Sequence, residues 1–119
     1  MKSLQIVFFI LVFGGAFSML QAQSSEKKIQ ETQFKVSGVC GMCEARIEEA
    51  ATIKGVKLAD WDKHTQLLTI VFNPRKTDLK TVQQAVADAG HDTEKVSAKL
   101  EHYQKLPGCC QYRDGIKVH

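Results

Sequence analysis

The sequence lacks the features that mark a catalytic site or a surface for nucleic acid. Its 119 residues carry a formal net charge of only +3, and no run of like charges stands out. A charge so small and so evenly spread does not indicate the strongly basic surface that nucleic-acid binding requires. The sequence also shows no Ser/His/Asp set, no paired catalytic carboxylates and no phosphate-binding glycine loop. We therefore expect a protein that is not an enzyme and has no nucleic-acid partner.

Long apolar runs are also scarce, and the longest lies near the N-terminus at residues 4–13. It follows Lys2 and precedes a stretch of small and polar residues, which is the layout of a secretory signal peptide. We expect residues 1–22 to be a signal peptide cleaved after Ala22, so that the mature chain is exported to the periplasm and leaves the membrane. The alternative is an uncleaved anchor, because an apolar stretch of about 17 residues reaches the lower limit for spanning a bilayer.

Cysteines are few, but all four fall in two close pairs, Cys40 with Cys43 and Cys109 with Cys110. A disulfide within either pair would enclose almost no chain and would add little stability. Such spacings are more typical of reactive thiols or metal ligands than of structural disulfides. A structural zinc site needs four ligands, so a CxxC pair by itself suits a soft ion of low coordination number such as Cu(I).

After a polar lead-in, the hydrophobic pattern predicts strands and helices in the order β-α-β-β-α-β. The predicted elements are strands at residues 32–38, 56–62, 67–72 and 93–99 and helices at residues 42–54 and 79–89. This order predicts an α+β, ferredoxin-like sandwich, in which two helices cover one face of a four-stranded antiparallel sheet. Four apolar side chains are expected in the core on that face: Phe34, Trp61, Ile70 and Phe72.

The CxxC pair stands where the first strand gives way to the first helix. Unpaired N–H groups and the positive end of the helix dipole favour thiolate at such a point. Thiolate binds soft metals and also attacks disulfides, so thiol–disulfide exchange is an alternative function. Three features disfavour it: the pair lacks the Trp and Pro of thioredoxin's WCGPC, a predicted hairpin directly follows the helix, and neither Pro74 nor Pro107 suits a position opposite the dithiol.

Residues 33–98 resemble the heavy-metal-associated domain of copper chaperones, of P-type metal ATPases and of mercury-binding periplasmic proteins. The likeness includes the CxxC, Gly55-Val56 after the first helix, the "VFNP" strand end and the "AVADAGHD" helix end. It implies a metal site on an exposed loop, with Cys40 and Cys43 as ligands. It also implies transfer of the ion, by thiolate exchange, to a protein partner such as a transporter or a cuproprotein. We expect Cu(I), with Hg(II) or Zn(II) possible and mercury scavenging as an alternative function, in a monomer or a metal-bridged dimer.

The loop departs from the family pattern G-M-x-C-x-x-C. Here it is G-V-C-G-M-C, one residue shorter, and the methionine that normally packs beneath the site is missing from its place, although Met42 lies inside the motif. No Asp or Glu precedes Cys40, as one often does in zinc-type members, and its absence favours a monovalent ion. His91 lies near the position that the family places facing the metal loop. It is a predicted third ligand or a positive charge that offsets two thiolates; a solvated loop histidine is the alternative.

The last twenty residues exceed the family core and carry the second cysteine pair. They include too few apolar residues for a separate domain, so we expect a short helix that docks through Leu100, Tyr103 and Leu106. We predict that Cys109 and Cys110 bind metal, in a second site or in one shared with the CxxC pair; a redox or disulfide role, or no role, are the alternatives. The predicted regions are a signal peptide at 1–22, a flexible lead-in at 23–31, a heavy-metal-associated domain at 32–99 and a cysteine-containing extension at 100–119.

Overall fold

The computed structural model describes residues 29–119. The predicted signal peptide, residues 1–22, and the lead-in as far as residue 28 lie outside the described residues. The elements are β1 (Gln30–Lys35), α1 (Gly41–Ala51), β2 (Val56–Asp62), β3 (Leu67–Phe72), α2 (Leu79–Asp88) and α3 (Leu100–Tyr103), followed by two 3₁₀ turns at Gly108–Cys110 and Tyr112–Asp114. Within residues 29–119, no helix has the length and apolar character that crossing a bilayer requires.

The strands form an antiparallel sheet in the order β1-β3-β2. The predicted hairpin is confirmed, because β2 pairs with β3 next to it in sequence. β1 begins at Gln30, opposite Phe72 of β3, so the last two residues of the predicted flexible lead-in belong to a strand. The central strand β3 alternates between half-buried and buried side chains, as expected for a strand with one face on the core.

The two long helices share a core with the sheet. α1 buries Cys43, Ile47 and Ala51 at helical spacing, and α2 buries Val82 and Val86 in the same way. Before α2, the Asp78 carboxylate accepts a hydrogen bond of 2.7 Å from the Thr81 N–H, which satisfies one of the free donors of the first turn. The four side chains predicted for the core of the sheet are all buried: Phe34, Trp61, Ile70 and Phe72.

The predicted fourth strand at residues 93–99 is wrong. In the described chain the segment joins the sheet only by a single bridge between Val36 and Thr93. Its polar groups are satisfied locally instead: the Thr93 N–H and hydroxyl both donate to the Val96 carbonyl at 2.8 Å. The buried Gln83 side chain accepts from the Lys95 N–H at 3.0 Å. Because these groups pair within the segment and with Gln83, they are not available to a strand ladder.

The C-terminal extension packs against the domain, as predicted, but not through all three expected residues. Tyr103 and Leu106 are buried, whereas Leu100 is 61% exposed and makes no part of the core. Leu100 is the first residue of a helix of only four residues, and of these four only Tyr103 is buried. Beyond this helix, the first 3₁₀ turn brings the chain back to the start of α1.

Candidate metal centre

Three cysteine thiols converge at the start of α1. Cys40 is the residue directly before the helix and Cys43 lies in its first turn, and their Sγ atoms are 3.5 Å apart. Cys110, from the first 3₁₀ turn of the extension, places its Sγ 3.7 Å from that of Cys40. The three sulfur atoms all lie within 4.8 Å of one another, and all three side chains are buried. Clustered thiols are the donor chemistry that soft metal ions prefer.

The Trp61 side chain, which projects from β2, packs against the loop before α1 and fixes its position. The indole Nε1–H donates a 3.0 Å hydrogen bond to the Val36 carbonyl. The ring then packs so closely under Gly38 that a Cβ at this position would lie 2.8 Å from the indole carbon Cη2 and 3.1 Å from the Cβ of Cys43. The Gly38 N–H is also fixed, since it donates to the Gln66 side chain at 3.0 Å. Glycine at position 38 therefore allows the sulfur loop to lie directly on the sheet.

The three clustered thiols differ in acidity. Burial by itself raises the pKa of Cys40, but hydrogen bonds from the Cys43 backbone and side chain and from the Cys110 thiol outweigh it and lower the pKa to about 7. Burial raises the pKa of Cys43 above its usual value. Burial, together with the two neighbouring sulfurs, raises the pKa of Cys110 strongly. Cys40 is therefore the thiol that ionises first, at close to neutral pH.

Cys109 lies outside the three-thiol cluster. Its side chain is exposed, and its Sγ is 3.4 Å from the Sδ of Met42, which is itself 54% exposed. The backbone carbonyl of Cys109, by contrast, faces inward and lies 3.6 Å from the Cys40 Sγ. All four cysteines are free thiols in the structure. The vicinal pair is thus divided, with one sulfur in the cluster and one at the surface.

His91 is not brought into the cluster either. Its ring is fully buried, Nδ1 is 2.8 Å from the Ser37 carbonyl oxygen, and the ring stacks on Tyr112 with centroids 5.6 Å apart. Burial lowers the pKa of His91, and the hydrogen bond to Ser37 opposes this only in part. The ring is therefore neutral at pH 7 and does not carry the expected positive charge. The alternative of a solvated loop histidine is wrong, because the residue packs between the loop and the extension.

Two further residues that hold the extension in place, Tyr112 and Arg113, were not predicted from the sequence. The Arg113 guanidinium donates to both carboxylate oxygens of Asp92, at 2.7 and 3.1 Å. The Tyr112 hydroxyl donates to the Gly90 carbonyl and accepts from the Asp92 N–H, both at 2.8 Å. The sequence offered one signal, an aromatic residue and an arginine that follow the second cysteine pair after Gln111. Through these contacts the extension covers a loop that the family resemblance implies to be exposed.

The domain model described as "Heavy-metal-associated domain" matches residues 33–92, which is half of the chain. The chain belongs to the heavy-metal-associated domain family. The match includes Cys40, Cys43 and His91 and ends before the extension, so Cys110 lies outside the part that this heavy-metal-associated protein shares with the family model.

One relative in sequence and two solved structures are similar to this chain. Copper-transporting ATPase 1 of Rhizobium meliloti (strain 1021) is 31% identical over 87 residues, which cover 71% of this heavy-metal-associated chain but only 10% of the ATPase. The CopZ metallochaperone is 26% identical with a TM-score of 0.52, and the match covers 54% of this chain and 98% of CopZ. Oxidized MerP from Ralstonia metallidurans CH34 is also 26% identical with a TM-score of 0.52, over 56% of this chain and 94% of MerP.

Proposed function

We propose that the protein binds Cu(I) through Cys40 and Cys43 and either carries the ion to a protein partner or holds it away from one. The observation that carries this proposal is the pair of thiols 3.5 Å apart at the start of α1. The pKa of Cys40, lowered to about 7, supports it, because thiolate is the form that binds soft metals. The heavy-metal-associated family supports the same assignment.

Cu(I) is preferred over the other soft or borderline ions. A structural zinc site is almost always four-coordinate, whereas the cluster offers three sulfurs and no carboxylate or imidazole within the same group. The residue before Cys40 is the buried, apolar Val39. The names of the ATPase and of the CopZ metallochaperone refer to copper transport and metal delivery in those proteins. Hg(II) is the strongest competitor, because the same soft thiols suit it and MerP has a similar fold.

Transfer to a partner would proceed by exchange of thiolates rather than by a reaction that the protein catalyses. A partner that presents its own thiolates, such as a transporter or a cuproprotein, replaces the thiolates of this protein one at a time. We propose that this takes place outside the cytoplasm, because the basic start and apolar run of residues 1–22 have the layout of an export signal. A monomer or a metal-bridged dimer fits this role.

The test is an anaerobic titration of the reduced protein with Cu(I) in the presence of a competing chelator. We expect one equivalent to bind with an affinity far tighter than micromolar, and we expect Cys40→Ser to weaken it by orders of magnitude. The matched control is Cys109→Ser, which removes an exposed thiol instead of a buried one. Weak binding that is the same in Cys40→Ser and in the wild type would refute the proposal.

A thiol–disulfide oxidoreductase is the second candidate function. Two thiols 3.5 Å apart, one of them with a lowered pKa, are also the arrangement that a redox dithiol requires. Insulin reduction by the protein, coupled to a defined dithiol potential and lost in Cys40→Ser, would favour this function. No insulin reduction together with tight Cu(I) binding would favour metal carriage.

A further inference from the structure

We propose that Cys110 is a third thiolate ligand, so that the metal ion lies in a buried three-sulfur site that the C-terminal extension closes. This inference rests on the proposed function, since it concerns the same ion at Cys40 and Cys43. It adds a ligand from outside the residues that match the family model, which end at residue 92. It also gives the extension a role, namely to complete and cover the site.

The distances between the sulfur atoms favour three ligands over two. With a metal–sulfur distance of about 2.3 Å, two sulfurs on opposite sides of an ion are about 4.6 Å apart, and the corners of a planar three-sulfur site are about 4.0 Å apart. The Cys40 Sγ is 3.5 Å from that of Cys43 and 3.7 Å from that of Cys110. Small outward shifts of the side chains therefore give the three-sulfur geometry, whereas a linear site needs a larger separation of Cys40 and Cys43.

The third sulfur is held in position by contacts that do not involve the ion. Before the 3₁₀ turn that carries Cys110, the buried side chains of Tyr103 and Leu106 anchor the extension on the domain. After this turn, Arg113 pairs with Asp92. The Cys110 N–H donates to the Pro107 carbonyl at 2.8 Å, which fixes the turn itself. Since the extension is ordered by its own packing, binding the ion does not require a flexible tail to be ordered at the same time.

The two adjacent cysteines of the extension direct their sulfur atoms to different places, which indicates that the inward direction of the Cys110 sulfur is specific. Buried cysteines often act as small apolar side chains. If Cys110 only filled space in the core, its sulfur would not need to point at another sulfur. The Cys110 Sγ instead points at a second sulfur, while the neighbouring Cys109 sulfur points to the surface. The two adjacent residues are therefore a natural test pair.

The first experiment counts sulfur ligands without changing any clustered cysteine. The exposed pair Met42 and Cys109 is removed in the double variant Met42→Leu/Cys109→Ser, which leaves three cysteines in the chain. X-ray absorption of this variant loaded with one equivalent of Cu(I) is expected to show three sulfur neighbours. Two sulfur neighbours would overturn the proposal.

The second experiment compares Cys110→Ser with Cys109→Ser. In the competition titration we expect Cys110→Ser to weaken Cu(I) binding by about tenfold or more and to reduce the sulfur count to two, while Cys109→Ser changes neither. Circular dichroism of both variants checks that the fold is retained. If Cys110→Ser unfolds, the sulfur count in the Met42→Leu/Cys109→Ser variant still decides the question.

The two proposals fail in different ways. If Cys40→Ser and the wild type bind Cu(I) equally weakly, the metal function itself is wrong. If Cys40→Ser loses the ion while Cys110→Ser keeps the affinity and sulfur count of the wild type, the two-thiol function stands and the third ligand is refuted.

Discussion

At the scale of single residues, the three clustered thiols have unequal roles. The pKa of Cys40 is lowered to about 7, whereas burial raises the pKa of both Cys43 and Cys110. An arriving cation therefore meets one thiolate and two thiols, and binding to the first sulfur favours loss of the remaining protons because the cation stabilises thiolate. The burial that keeps Cys43 and Cys110 protonated in the metal-free protein would also exclude competing water from the ion that we propose to bind there.

His91 is a residue at which sequence and structure point to different roles. The sequence predicts a third ligand or a positive charge near the thiolates, whereas the structure shows a neutral ring that bonds to Ser37 and stacks on Tyr112. We expect His91→Ala to lower the free energy of unfolding by about 2–4 kcal/mol, because it leaves a cavity and an unpaired carbonyl. His91→Phe should lower it less, since the stacked ring is kept. Urea denaturation of the metal-free protein measures both.

The same variants separate a structural role from a ligand role. We expect folded His91→Phe to bind one equivalent of Cu(I) with the affinity of the wild type. If it binds less than one equivalent while its far-ultraviolet circular dichroism is unchanged, His91 is part of the site after all.

At the scale of elements, local patterns predicted most of the fold. Helices α1 and α2 and the β2–β3 hairpin were recoverable because their periodicity, the Asp78 cap and the stop at Asn73-Pro74 all agree. The prediction of a fourth strand failed. Residues 93–99 have a strand-like composition, but their polar groups pair with the buried Gln83 and with one another. This pairing depends on Gln83, which belongs to α2, and the local sequence pattern of residues 93–99 gives no indication of that contact.

The junction between β1 and α1 gives a prediction at this scale. A Cβ at Gly38 would lie 2.8 Å from the Trp61 ring, so we expect Gly38→Ala to lower the free energy of unfolding by about 1–3 kcal/mol and to weaken Cu(I) binding through displacement of the loop. The matched control is Gly41→Ala at the start of α1, where a Cβ meets nothing within 4 Å.

The control should change in the opposite direction. Because alanine is the better helix former, Gly41→Ala is expected to leave stability unchanged or raise it by up to about 1 kcal/mol, with normal metal affinity. Thermal or denaturant unfolding of the metal-free variants distinguishes the two. Equal effects of the two substitutions would show that close packing of the loop on Trp61 is not what positions the cysteines.

At the scale of the whole molecule, the extension joins two distant parts of the chain. The contact between Cys40 and Cys110 spans 70 positions, and His119 donates its N–H to the Val39 carbonyl at 2.7 Å. From the sequence the second cysteine pair was a candidate for metal binding, but nothing local distinguished Cys109 from Cys110. That difference arises only when the turn after Pro107 docks and directs one sulfur inward.

The ion pair between Asp92 and Arg113 keeps the extension docked over a wide pH range. Partial burial raises the pKa of Asp92, but hydrogen bonds from Arg113 and from the Ala98 N–H outweigh it and hold the pKa below its usual value. The unfolded chain therefore binds this proton more readily than the folded chain, and stability rises with pH. The contribution is complete well above the ordinary aspartate pKa of about 4 and is lost as the pH falls through the lowered value. Tyr112 and His91 face the same carboxylate; burial raises the pKa of Tyr112, so its hydroxyl stays protonated throughout that window, and burial lowers the pKa of His91.

Weakening this ion pair should release the metal ion faster. Arg113→Gln removes the bonds to Asp92, the 2.7 Å bond to the Ala98 carbonyl and the stacking of the guanidinium on Tyr103, 4.6 Å from the ring centre. Because the extension then opens more often, we expect a severalfold faster loss of Cu(I) to an excess of chelator in stopped-flow measurements. The matched control is Arg75→Gln, an exposed arginine on the turn before α2, which should leave the rate unchanged. A release rate in Arg113→Gln equal to that of the control would show that the ion escapes without movement of the extension, and that Cys110 does not confine it.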